Sequence, residues 1–363
     1  VERLRRRRDA LAAALGERGL AAVIIGPGPD LRHLLGYGPT AAERPTLLTV
    51  PATGDPVLVV PRLEEPRARE TADLAGVELR TYGETDDPYA PAVAAVPAQG
   101  DVAVGDQLWS LFTLRLQERL PGRVRLPAST VTAPLRARKD ADEVAALAAV
   151  GAAIDAVHLE VPSLLRAGRR EREVAADLAE LIRRDHDTVA FVIVAGGPNS
   201  ASPHHEPGDR ILEVGDAVVV DIGGTLDGYH SDMTRTYHLG PPGPEVLEAY
   251  AALRAAQQAG IDAVRPGVHA EDVDAAARRV LDDAGLGAAF VHRTGHGIGL
   301  EVHEAPWIVA GDRTVLAPGM AFSVEPGYYL TGRTGARIED IVVVTDDGVR
   351  VLNQVTRELL VIS

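Results

Sequence analysis

Apolar positions recur along this chain at two spacings, one helical and one strand-like. Near the start, Leu4, Leu11 and Leu15 share one helical face, and Gly16 and Gly19 end that helix. A short apolar run at 21–25 follows, with further strand-like runs at 46–50, 57–60, 77–82 and 102–104. Helical patterns near 62–75 and 109–120 lie among them, and the alternation predicts one compact α/β domain. At 121–139 the chain turns rich in proline and arginine (Pro121, Pro127, Pro134), after which Asp140-Ala141-Asp142-Glu143 opens a long Ala-rich helix. The domains are therefore placed at 1–135 and 136–363. In the second, helices over about 140–160, 171–184, 244–264 and 270–284 interleave with apolar strands at 191–195, 217–222, 321–325 and 338–344. Two of those strands open hairpins.

Length and charge sharpen this division. A chain of 363 residues is long enough to bury two cores. Residues 1–138 hold 18 arginines and 17 acids, whereas 139–363 hold 18 arginines, one lysine and 35 acids, so the acidity belongs to the second domain. Without a basic domain the chain is a poor nucleic-acid binder, because affinity there comes mainly from neutralising phosphates. Cysteine is absent, which excludes disulfides, thiolate nucleophiles and sulfur-ligated metals. Lys139 is the only lysine, so no Walker lysine exists and Schiff-base chemistry is disfavoured. No apolar run is read as long enough to span a bilayer, and no membrane partner is expected. Arg5-Arg6-Arg7-Arg8 resembles a signal-peptide start, but the apolar stretch behind it is short and broken by Glu17-Arg18. It reads as a helix with a solvated basic face, in a cytoplasmic enzyme.

The candidate chemistry lies in four carboxylates and a histidine. Val218-Val219-Val220-Asp221-Ile222 puts an acid inside a run that should be buried, where an unpaired carboxylate is expensive. Asp227-Gly228 is a strong tight-turn dipeptide. If it centres a hairpin, Asp232 falls opposite Gly223 and diagonal to Asp221, about 7–8 Å away at the backbone. The device recurs in Ala321-Phe322-Ser323-Val324-Glu325 and Arg337-Ile338-Glu339, with Glu325 and Glu339 about symmetric around a loop holding Gly332 and Gly335. The fifth element is His296 among alternate glycines (Gly295, Gly297, Gly299), which permit close backbone approach or unusual backbone angles. Carboxylates with one imidazole and no sulfur suit Mn²⁺, Co²⁺, Fe²⁺ or Zn²⁺ in a two-metal hydrolytic site better than a structural zinc. Each residue alone has a plainer explanation. A strand-end acid is usually a turn former, a Gly-flanked histidine a loop residue, His204-His205 an exposed loop, and Arg337 a surface or ion-pair residue. Their ordered combination is what the plainer explanation accounts for badly.

That combination resembles the pita-bread metallopeptidases: methionine aminopeptidase, aminopeptidase P, prolidase and the related creatinase. The resemblance rests on DIGG at 221–224, SDMTRT at 231–236, HRTGHGIGLEVHE at 292–304, EPG at 325–327 and RIED at 337–340. The first 135 or so residues look like the creatinase-like amino-terminal domain of the prolidase, aminopeptidase P and creatinase branch, which disfavours methionine aminopeptidase. The resemblance implies an α/β (α+β) fold of two domains, the second a pita-bread catalytic domain. It implies Asp221, Asp232, His296, Glu325 and Glu339 as ligands of two divalent ions, manganese first, with cobalt, zinc or iron as alternatives. It further implies His204, His292 and His303 on the substrate side, His204 by its spacing of 17 residues before Asp221, with His205 the second candidate. Glu325 is the candidate general base, His292 and His303 polarise the carbonyl, and Arg337 orients a ligand through an ion pair or contacts substrate. The implied reaction is hydrolysis of an Xaa-Pro bond by a metal-bridging hydroxide, on a dipeptide (prolidase) or a longer peptide (aminopeptidase P), in a homodimer. A creatinase-like C–N hydrolase of a small molecule and a non-catalytic scaffold are the alternatives, both disfavoured by five intact ligands.

Overall fold

The structure, a computed structural model, describes residues 2–363 and divides into two compact units, one ending at Arg136 and the other Ala137–Ser363. In the first, Leu20–Ile25 pairs antiparallel with Leu47–Pro51 and parallel with Asp101–Val104 within a six-stranded mixed sheet. Alternation sends Val23 and Ile25 to a core with Leu11 and Leu15, and Ile24 to another with Phe112 and Leu116, so both faces of the sheet are covered.

Three expectations change here. Of the four arginines, Arg5 and Arg6 are exposed and Arg7 is half-buried, but Arg8 is only 3% exposed. Arg8 donates to the carbonyls of Leu34 (2.8 Å) and Ala75 (2.6 Å), with the Asp73 carboxylate 3.8 Å away. The reason is periodicity: position 8 lies on the stripe of Leu4, Leu11 and Leu15 and must turn inward with it. Second, the Pro- and Arg-rich stretch, in which the sequence marks only the domain boundary, forms strand Val124–Pro127 and helix Ser129–Ala137. Its proline-bearing strand lies at the sheet edge, where a missing N–H is tolerated. Thr132 and Arg136 tie the helix to Asp30 at 2.9 and 3.0 Å.

Third, the helix Ala141–Leu164 is long and apolar enough by length and composition to cross a membrane, with mean hydropathy 1.7. No run of that length is read from the sequence, yet this helix reaches it, with Asp155, His158 and Glu160 among its residues. In the fold it buries Leu147, Ile154, Val157 and Val161 in the core of its own unit. Asp155 accepts from Asn353 and the Gln354 N–H, and His158 bonds Tyr237 and the Met233 carbonyl. Asp140 and Glu143 start the helix with reciprocal side-chain-to-backbone bonds of 3.0 Å.

The second unit repeats one plan. Helices Ala141–Leu164 and Glu171–Asp185 back a sheet containing Thr188–Gly196, Ala217–Leu226 and Met233–Leu239. Helices Pro244–Ala263 and Ala270–Asp283 back a second sheet containing Gly295–Gly297, Glu304–Ile308, Ala321–Val324 and Asp340–Val344. In each sheet every second residue packs on the helices: Val218, Val220 and Ile222 in one, Phe322, Val324, Val342 and Val344 in the other. The residues between them, Asp221 among them, project from the opposite face.

Candidate metal centre and substrate cavity

Asp227 and Gly228 adopt φ of 50° and 79°, the tight-turn backbone that Asp-Gly favours. The register that follows pairs Met233 with Ile222 and Thr234 with Asp221, which sets Asp232 across from Gly223 as the turn predicts. In the second hairpin Val324 pairs with Asp340 and Gly327 with Arg337, a common register that sets Glu325 across from Glu339. The His296 strand wedges beside the second hairpin by virtue of its glycines. A Cβ on Gly295 would lie 1.9 Å from the Ser323 carbonyl oxygen, and one on Gly297 2.2 Å from that of Ala305. Close approach, rather than unusual backbone angles, is what these glycines provide.

The five proposed ligands converge. Ligand atoms of Asp232, His296 and Glu339 lie within 4.8 Å of one another. His296 Nε2 stands 3.1 Å from Glu325 and 3.6 Å from Asp232. Ser323 braces this corner, accepting from the His296 N–H at 3.0 Å and donating to Glu325 at 2.9 Å. Thr234 donates to Glu339 at 2.7 Å. Arg337, 3% exposed, donates to Asp221 (2.6 Å), Thr234 (3.0 Å), the Tyr329 hydroxyl (2.8 Å) and the Pro203 carbonyl (3.4 Å). With four of five N–H groups engaged, it is an ion-pair partner of Asp221, a proposed ligand, rather than a free donor for substrate.

The electrostatics show a deficit of positive charge. Burial, followed by the neighbouring acids, holds Asp232 and Glu339 well above the usual carboxylate range. Burial also raises Asp221, with Arg337 opposing. Glu325 is pushed up by burial, but its bond to His296 together with the charges of His296, His292 and Arg337 outweighs this and holds it at about 2. One oxygen each of Asp221 and Glu339 is buried with no hydrogen-bond partner. Buried, unpaired carboxylate oxygens beside one imidazole are what hard divalent cations complete, so the residues fit such ions.

These residues floor a cavity of about 790 Å³, a size suited to a small ligand. Pro203, His204, His292 and His303 line it, with Phe191, Ile193, Val291 and Val302 forming its apolar wall. His205 turns away, its Nε2 bonding Glu171 at 2.8 Å, so His204 is the cavity histidine of the pair. His303 packs edge-on to His296 with ring centroids 4.2 Å apart, and burial, helped by His296 and Arg293, lowers it to about 4. His292 differs from expectation. Its Nδ1 lies 2.7 Å from the Arg293 carbonyl and its Nε2 2.8 Å from the Tyr329 hydroxyl. A carbonyl only accepts, so Nδ1 of neutral His292 donates to the Arg293 carbonyl and its Nε2 accepts from the Tyr329 hydroxyl, leaving that ring no free N–H for a substrate carbonyl. Burial lowers His292 as well.

Thr234, Ser323, Tyr329 and Arg293 were not singled out from sequence. Thr234 was accessible, since the register that places Asp232 also places it opposite Asp221. The other three carry no signal of spacing.

A carboxylate and imidazole cation site at the floor of a peptide-sized cavity defines a metal-dependent hydrolase. The comparisons give the family. Residues 145–346 match metallopeptidase family M24 and residues 7–138 the creatinase/prolidase N-terminal domain. This chain belongs to metallopeptidase family M24, and its fold is that of the pita-bread enzymes with a creatinase-like amino-terminal domain. It is 51% identical to the probable dipeptidase PepE of Mycobacterium tuberculosis, over 98% of this chain and 96% of that protein. The Xaa-Pro dipeptidase of Lactobacillus delbrueckii is 32% identical over 98% of both chains. The crystal structure of dipeptidase PepE from Mycobacterium ulcerans superposes with TM-score 0.95 at 52% identity, covering 99% of this chain and 98% of that one.

Proposed function

We propose that this protein is a dinuclear metal-dependent peptidase that hydrolyses Xaa-Pro bonds. The observation that carries the reading is that Asp221, Asp232, His296, Glu325 and Glu339 line one cavity, with unpaired buried oxygens on Asp221 and Glu339. Those five residues would hold two divalent ions, manganese foremost. When bound, such ions supply a water acidified towards neutral pH and polarise the scissile carbonyl. Glu325, ionised throughout the neutral range, accepts the proton of the attacking water and delivers it to the departing proline nitrogen. His303 and His204 face the cavity and supply N–H donors to the developing oxyanion. His292, fixed between Tyr329 and the Arg293 carbonyl, shapes the wall beside them. The apolar wall of Phe191, Ile193, Val291 and Val302 suits a prolyl ring, and the tertiary amide of that bond carries no N–H to be matched.

The test is release of proline from alanyl-proline by protein reconstituted with manganese, cobalt, zinc or iron, with metal content measured alongside. Asp221→Asn should lose bound metal and turnover together. No proline release with any of the metals would refute the assignment. On the family resemblance alone we extend the reading to a cytoplasmic homodimer, which light scattering and cell fractionation test.

A further inference from the structure

The two adjacent histidines meet different surroundings. His204 and Pro203 line the cavity, and the His204 ring makes no hydrogen bond among the described residues. Its placement therefore rests on the backbone that carries it. His205 turns the other way and donates from Nε2 to the Glu171 carboxylate at 2.8 Å. Glu171 opens the helix Glu171–Asp185 and has no exposed surface. A carboxylate buried so deeply is costly unless donors surround it. The four donors it meets among the described residues all belong to the segment that carries His204. Oε1 accepts from the Gly196 N–H (2.9 Å) and the Asn199 amide (3.0 Å). Oε2 accepts from His205, from Asn199 (3.1 Å) and from the Gly208 N–H (3.3 Å). One side chain thus joins the start, middle and end of the segment 196–208.

The helix adds backbone bonds at the same place. The N–H groups of Glu171 and Arg172, which have no partner inside the helix, donate to the carbonyls of Arg210 and Gly208 at 3.1 Å each. Elsewhere the segment is held by Ser200, whose Oγ accepts from the Gly335 N–H at 2.7 Å, and by the Pro203 carbonyl, which accepts from Arg337. His204 follows Pro203 directly, so its ring is carried on a backbone pinned at Ser200, Pro203 and His205. We propose that Glu171, acting through His205, is a positioning residue for His204, and that its carboxylate fixes the segment presenting that ring to the cavity. The proposal rests on the Xaa-Pro reading above, which gives His204 a donor's part toward the oxyanion. None of the four donors on Glu171 comes from a proposed metal ligand, so bound ions leave this clamp in place.

The experiment measures kcat and KM for alanyl-proline on manganese-reconstituted His205→Ala, His205→Gln, His204→Ala and the His204→Ala/His205→Ala double variant. A donor that acts on the oxyanion is felt in kcat, and a small misplacement is enough to weaken it. His205→Ala should therefore lose roughly 10- to 100-fold in kcat, with KM and manganese content near those of wild type. His205→Gln keeps an N–H able to reach Glu171 and should recover most of that loss. In the His204→Ala background, His205→Ala should cost nothing further, because the ring it positions is gone. Glu171→Gln sets an amide among the donors and should lower kcat at least as far; the His205 variants decide the matter if that protein does not fold. Hydrogen exchange gives a readout without turnover, since His205→Ala should speed exchange of the Gly196 and Gly208 amides. Wild-type kcat in His205→Ala overturns the proposal, as do losses that multiply in the double variant or an equal fall in His205→Gln. Failure of wild type on alanyl-proline would instead overturn the Xaa-Pro reading, and unchanged exchange in His205→Ala would still sink the clamp.

Discussion

Arg337→Met isolates the electrostatic role of the centre's one cationic neighbour of Asp221. The guanidinium and the Asp221 carboxylate are 2.6 Å apart, with side chains 4% and 10% exposed. Removing one partner of a buried pair costs about 3–5 kcal/mol, because the other charge stays buried and unpaired. In metal-free protein at pH 7.5 this full penalty is expected. Asp221 has an escape, since burial already raises its pKa and protonation removes the orphaned charge. Each unit of pH then relieves up to about 1.4 kcal/mol, so at pH 5.5 the penalty should shrink by as much as about 2.7 kcal/mol. Divalent ions supply positive charge to the same carboxylate, so the penalty should also be smaller in metal-loaded protein. Trp109 lies in the first unit and Trp307 in the second, so Trp307 fluorescence in a Trp109→Phe background follows unfolding of the catalytic unit in urea. A penalty that is the same at both pH values and indifferent to metal would refute this account of Arg337 as counter-charge.

Other consequences can be tested more briefly. Arg8→Met should destabilise the first unit by about 2–4 kcal/mol, since the Asp73 carboxylate and the Leu34 and Ala75 carbonyls lose their partner, whereas exposed Arg5→Ala stays within about 0.5 kcal/mol; equal urea midpoints for the two variants would contradict the inward turn of Arg8. Lys139 Nζ lies 2.6 Å from Glu304 with side chains 1% and 6% exposed, so Lys139→Met should cost about 3–5 kcal/mol. The same burial should shield this sole lysine from amine-reactive labelling until the catalytic unit unfolds, which peptide mass spectrometry of native protein checks directly. Asp221, Asp232 and Glu339 have folded pKa values raised above their unfolded ones, so their contribution is fully present below the ordinary carboxylate range and is lost as pH rises through the raised values. Metal-free protein should therefore melt at lower temperature at pH 8 than at pH 6, and metal should flatten that slope; parallel slopes with and without metal would show that the acids are not linked to the ions.

What could be read from sequence at this centre was register. An Asp-Gly turn fixes the pairing of its two strands, and pairing fixes which side chains share a face, so Asp221, Asp232 and even Thr234 follow from counting. The Glu325 and Glu339 hairpin obeys the same rule. The strand Gly295–Gly297 is too short for any periodicity, and only its glycines hinted at a backbone pressed against another chain segment. Long cationic side chains resist such counting, because their heads reach several ångströms from their own backbone. Arg5 and Arg8 are neighbours in one run, yet one is solvated and the other spans to Leu34 and Ala75, and only the stripe of leucines distinguishes them. Arg293 and Arg337 are likewise both cavity arginines. One is neutralised by an acid 116 positions away in sequence, and the other is left to an aromatic ring on the adjacent strand. Which arginine is held by an acid and which by a ring is decided by tertiary approach alone. Counting along the strands therefore places the proposed ligands Asp221, Asp232, Glu325 and Glu339 but does not separate the two arginines.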